Sequence, residues 1–146
     1  METAALKTLA AGIIANADRI AFAKYNPNET EHEIMYALVD DTEIHSERFE
    51  TQDECDVVWM ELMVGLASGP RPKFGRFLMI ALISLQHFIG PELVETDEGD
   101  FLHLGFQGAN ALVFKYVKES DRLRDYALIK EFFGMNSENA GSVLRN

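Results

Sequence analysis

Cysteine is almost missing from this chain. Its 146 residues include one, Cys55, which rules out an internal disulfide and the scaffolds that depend on a disulfide framework. A lone thiol also lacks the companions that a zinc finger or ribbon needs. Long hydrophobic runs are missing too. The apolar stretch from Phe77 to Leu85 falls well short of the ~20 residues that span a bilayer as a helix. Thr8 to Ala17, TLAAGIIANA, is apolar and ends in small residues. Glu2 stands before it beside Lys7, so it lacks the positive start of a signal peptide and reads as an amphipathic helix. The chain contains no phosphate loop, dinucleotide fingerprint, nucleophile elbow or calcium loop. Asp97-Glu98-Gly99-Asp100 lacks alternating ligand spacing and reads as a turn. Repeats and low-complexity segments are also absent. These gaps point to a soluble, cytoplasmic protein that carries no cofactor.

What is present is globular in character. Hydrophobic residues make up 47% of the chain and charged residues 25%, enough for one packed core. The expected organisation is a single domain over 1–135 with a flexible C-terminal tail over 136–146.

The patterning predicts a mainly helical α+β fold with one or two small antiparallel hairpins, the alternative being an all-α bundle. Leu6, Leu9, Ile13, Ala17 and Ile20 recur at helical steps, which predicts a helix from Glu2 to Tyr25 that stops at Asn26-Pro27. Residues 31–49 alternate around Asp40-Asp41 and predict a hairpin, with a short helix over Glu31 to Val39 as the rival. Thr51-Gln52-Asp53-Glu54 is a capping box opening a helix that Gly69-Pro70 closes. Phe74 to Ile89 is apolar almost all round and predicts a buried helix ended by Gly90-Pro91. Phe101 to Phe106 suggests a short strand. Ala109 to Phe133 reads mostly as helix ending at Gly134. The other reading pairs Ala111–Val117 with that strand and starts a shorter helix at Ser120.

Charge is the most informative feature. There are 24 acids against 13 Lys and Arg, a net charge of -11. Between Glu29 and Asp56 lie 11 acids and one base, Arg48, so this segment alone contributes 11 - 1 = 10 negative charges. The remaining 13 acids face 12 bases, close to neutrality. A second acidic group, Glu92, Glu95, Asp97, Glu98 and Asp100, contains no base. A concentrated negative field speeds encounter with basic proteins and resists nucleic acid. Arg71, Lys73 and Arg76 make only a small basic patch.

The functional expectation is a non-enzymatic acidic binding protein that neutralises a basic partner, in the manner of a toxin-immunity protein or an inhibitor of a nucleic-acid enzyme. Its partner-binding carboxylates are Asp40, Asp41, Glu43, Glu47, Glu50 and Asp53. The bland reading of the same run is a solvated face that keeps the chain in solution. A second hypothesis is a small metal-dependent enzyme using His32, His45 and nearby acids. His32 lies between Glu31 and Glu33, and His45 precedes Glu47 by two residues. A third is a structural subunit of an assembly held by a patch of Phe101, Phe106, Phe132 and Phe133. His87 reads as a boundary histidine. Cys55, flanked by Glu54 and Asp56, reads as structural, because neighbouring carboxylates oppose a thiolate. Trp59 and the methionines Met35, Met60, Met63 and Met79 read as core.

Overall fold

The first predicted helix is cut short. In the computed structural model, residues 10–15 are helical and Ala17–Arg19 form a 3-10 turn. Asn16 sits at the break, donating from Nδ2 to the Gly12 carbonyl at 2.8 Å. The chain then extends as strand β1, Ile20–Pro27. Ile20, Ala21, Phe22 and Ala23 are all buried, so this strand has no polar face to reveal its period of two. The structure describes residues 10–27, 32–41, 43–68, 70, 72–78 and 80–144, with side chains described to Phe132.

The chain divides into two compact units. The first comprises Met1–His87 with Gly108–Asn110, and the second Phe88–Gln107 with Ala111–Asn146. In the first, β1 pairs antiparallel with β2, His32–Leu38, which pairs antiparallel with β3, Ile44–Phe49. The expected hairpin therefore exists, turning at Asp40-Asp41. Asp40 takes a left-handed φ of 65°, a conformation aspartate tolerates better than most residues.

The capped helix α1 runs Gln52–Ala67. Thr51 Oγ1 accepts from Glu54 N at 3.2 Å, as the capping box requires, and the Glu54 carboxylate accepts from the Thr51 hydroxyl. Cys55, Val58, Trp59, Leu62 and Leu66 form its buried face and pack with Ile20, Ala23, Ile34, Phe74 and Leu82. A fully buried side chain of this kind contributes about 1.5–3 kcal/mol. Met60 lies on the opposite face and is exposed, contrary to the core role expected for it.

The predicted buried helix over Phe74 to Ile89 is two short strands instead. These are β4, Phe74–Phe77, and β5, Ala81–Ser84, paired antiparallel. All four β5 residues are buried. A strand buried on both faces is as uniformly apolar as a core helix, so periodicity alone does not separate the two. The sheet order is β3-β2-β1-β5-β4, which leaves β3 on one edge.

The second unit is a three-stranded antiparallel meander and a long helix. Its strands are β6, Phe88–Thr96, β7, Gly99–Phe106, and β8, Leu112–Tyr116, in the order β6-β7-β8. Gly90-Pro91 was expected to end a helix but lies inside β6. Gly90 takes a φ of 148° at a register shift, and Pro91 is tolerated because β6 is an edge strand. Residues 112–116, read mostly as helix, are a strand, so the alternative hairpin with β7 is the observed one. Helix α2 spans Glu119–Leu144 and runs past Gly134, where a stop was expected. Among the described residues strand accounts for 44% and helix for 34%, which overturns both the mainly helical reading and the all-α bundle. The observed arrangement is α+β with two antiparallel sheets.

Candidate functional site

The β2–β3 hairpin and the start of α1 place the acidic residues. Asp40 and Asp41 form its turn and Glu43 follows. Glu47 lies midway along β3, Glu50 just beyond its end, and Asp53 in the first turn of α1. Asp53 and Glu54 are favoured there by the positive end of the helix dipole. Asp40, Glu43, Glu50 and Asp53 are exposed, while Asp41 and Glu47 are half-buried. The six residues are not one flat patch. They run along the edge strand, whose six residues extend about 20 Å.

Asp41 is internally engaged. Its Oδ1 accepts from Glu43 N at 2.9 Å and its Oδ2 accepts from His45 Nε2 at 3.0 Å. The backbone donor, then the His45 bond, hold its carboxyl below the ordinary aspartate range, with Arg19 and the His45 charge adding smaller pulls. The imidazole of His45 stacks on Tyr36 with ring centres 5.3 Å apart. Arg48, the one base of the segment, reaches back to Glu33, which is buried, with Nε 3.5 Å from Oε2. Asp40, Glu43, Glu47, Glu50 and Asp53 make no ion pair among the described residues. The edge is therefore lined by carboxylates that nothing in the described chain neutralises.

The two hairpin histidines are not brought together. His32 pairs across the sheet with Phe49 and His45 with Tyr36, four positions apart, or roughly 13 Å. His32 Nδ1 instead donates to Gln52 Oε1 at 3.0 Å. Among the described residues, no three His, Cys, Asp or Glu groups converge as metal ligands.

A polar network that the sequence reading missed lies near His32. Gln52 Nε2 donates to Asp56 Oδ1 at 2.8 Å and to the Tyr25 hydroxyl, and the hydroxyl donates to Asp56 Oδ1. Tyr25 stacks on the buried Trp59, centroids 5.4 Å apart, so Trp59 is core as expected. Burial raises the Tyr25 pKa, with the Asp56 bond and charge adding to it. The only advance signal was the Gln52–Asp56 spacing of one helical turn. Cys55, beside Asp56, is buried and its thiol is pushed up to about 11, by burial first and then by the Asp56 charge. That is an inert thiol at neutral pH.

A cavity of about 480 Å³ opens beside the hairpin, walled by Ile13, Ile20 and Leu38. Gly12, Asn16, Arg19 and Tyr36 complete its lining. No part of it was anticipated. It exists because the chain breaks at Asn16 and turns into β1, an event helical spacing does not show.

The remaining candidates disperse. Lys73 is ion-paired with Asp18 at 2.9 Å, and Arg71 lies outside the described residues. The expected phenylalanine patch is not one surface. Phe106 is buried against Phe88, Phe101 is half-buried with the Lys115 ammonium 5.9 Å from its ring centre, and the Phe133 side chain lies outside the described set. No helix among the described residues is long and apolar enough to cross a membrane.

Known families, characterised proteins and solved structures provide no match to this chain.

Proposed function

We propose that this chain is a non-enzymatic binding protein whose acidic β3 edge captures a basic segment of another protein. The observation that carries this reading is the edge itself. Among the described residues β3 has a neighbour on one side only, and Arg48, the one base of the acidic segment, pairs with Glu33. An edge strand presents unpaired backbone N–H and C=O groups to an extended segment. Asp40 and Glu43 at one end, Glu47 between, and Glu50 with Asp53 at the other then meet its lysines and arginines. Where those cations normally grip a phosphate backbone, occupancy by carboxylates occludes the nucleic-acid surface. A nuclease, a toxin or another nucleic-acid enzyme is the partner class of first choice.

The test has two steps. A pull-down from the source cells at low and moderate salt identifies retained basic proteins. The purified partner is then titrated against the wild type and the double variant Glu43→Lys, Glu47→Lys. The expected result is an association rate at least about tenfold slower for the variant, with a flatter salt dependence. Equal rates at low salt would remove the β3 edge as the interface.

A further inference from the structure

The cavity beside the hairpin has a composition that selects a ligand. Its walls, Ile13, Ile20 and Leu38, are apolar. At its rim the Arg19 guanidinium makes no hydrogen bond or ion pair among the described residues, although its carbonyl is tied to Val39 N at 2.7 Å. The Tyr36 hydroxyl likewise has no hydrogen-bond partner among the described residues, while its ring is held by the stack on His45. The Asn16 amide spends a donor on Gly12. The lining thus offers one unpaired guanidinium and one phenol donor beside apolar walls.

We infer that this cavity binds a small carboxylic acid with an apolar body, the carboxylate between Arg19 and Tyr36 and the body against Ile13, Ile20 and Leu38. A guanidinium presents paired donors that match a carboxylate. A volume of about 480 Å³ falls within the usual range of small-molecule pockets. A cationic ligand is opposed by Arg19. A neutral apolar ligand fills the walls but leaves the two donors unanswered. Asp41, the carboxylate that acts on Arg19 electrostatically, is already engaged by Glu43 N and His45 and does not close the site. Burial and the Glu47 charge raise the Tyr36 pKa, so the phenol stays protonated as a donor through the neutral range. The site adjoins the acidic edge, with Glu47 acting on Tyr36 and Asp41 on Arg19 through their charges, but neither carboxylate is among its lining residues.

Gly12 provides a variant that keeps the fold. A Cβ built there meets nothing within 4 Å, and Gly12 lies in the helical segment 10–15. Leucine at this position adds bulk to a residue that lines the cavity and favours the helix over glycine. The experiment titrates the full chain with octanoate, octan-1-ol and octylammonium, followed by amide NMR shifts. Octanoate is expected to saturate with a dissociation constant on the order of 1 mM, shifting Gly12, Arg19 and Leu38. Octan-1-ol should bind about tenfold more weakly and octylammonium more weakly still. Gly12→Leu should abolish the octanoate shifts, and Arg19→Gln should bring acid and alcohol to equal affinity. The inference is overturned if octanoate leaves these amides unmoved, if alcohol or ammonium binds as well as the acid, or if Gly12→Leu binds octanoate undiminished.

Discussion

The two units use charge in opposite ways. In the first, Arg48 is exposed and most hairpin carboxylates have no cation among the described residues. In the second, Arg122 is 2% exposed and gathers its surroundings inward. Its Nη2 donates to Glu95 and Glu119, each at 2.9 Å, and its Nη1 donates to the carbonyls of Val94 and Phe101 at 3.4 and 3.3 Å. One side chain on α2 thus ties β6, β7 and the first turn of its own helix together. The contrast teaches that acid content alone does not mark an interface. Glu95 belongs to a cluster as acidic as the hairpin's in sequence, yet it is bound to a cation within its own unit. Most hairpin acids have no such cation among the described residues.

The sharpest way to break this comparison is Arg122→Ala. Two backbone carbonyls lose a donor, two solvent-accessible carboxylates lose their cation, and a fully buried side chain is replaced by a void, a combination among the costlier single changes. The expected result is a fall in melting temperature of about 10 °C or more, with hydrogen-exchange protection lost in β6, β7 and α2. Lysine at 122 should recover little, since one ammonium does not replace a planar fork with four acceptors. A drop of only a degree or two would mean that the second unit does not depend on the buried cation.

A middle-sized effect tests what the units share. Each holds a tyrosine that donates to an aspartate, Tyr25 to Asp56 and Tyr116 to Asp125, the latter at 2.7 Å. Burial, then the bonded carboxylate, raises both phenol pKa values. A raised folded pKa gives stability that is complete below the unfolded value, about 10 for tyrosine, and is lost as pH climbs towards the folded value. Stability should therefore fall above pH ~10. Tyr25→Phe and Tyr116→Phe should each cost about 1 kcal/mol at pH 7 and flatten that alkaline fall. Urea midpoints measured from pH 7 to 11 check this, and parallel slopes for wild type and variants would refute it.

What could be read in advance followed from local chemistry. The Thr51 cap and the Asp40-Asp41 turn are set by residues that act within a few positions, so both were legible. The errors fall where burial removes the pattern. Ile20 to Ala23 and Ala81 to Ser84 are buried throughout, and an all-apolar strand looks like a core helix. Gly90-Pro91 resembled a helix stop because both residues serve edge strands and bulges equally well. Of the site, the acidic run was legible because charge density needs no fold to be counted. Its arrangement along an edge was not, since edge status depends on β1 pairing with β5 across more than fifty residues. The Arg19 cavity and the Tyr25–Gln52–Asp56 network arise from the same long-range pairing and helix docking.

The smallest expected effect sharpens the comparison most directly. If the hairpin carboxylates serve a partner and not the fold, reversing them should cost no stability. Glu43 and Glu50 are exposed and form no ion pair among the described residues. The segment around them carries ten excess negative charges, which repel one another in the folded chain. Glu43→Lys with Glu50→Lys removes part of that repulsion. The melting temperature should stay level or rise by about 2 °C in low salt, and the gain should vanish near 0.5 M salt, where the Debye length is well under 10 Å. The same reversal at Glu95 would put a lysine beside Arg122 and should lower the melting temperature at either salt concentration. Equal responses at Glu43/Glu50 and Glu95 would erase the distinction between unpaired and paired carboxylates. A loss of several degrees at the hairpin would make its acids structural, and the β3 edge would then need no partner to explain it.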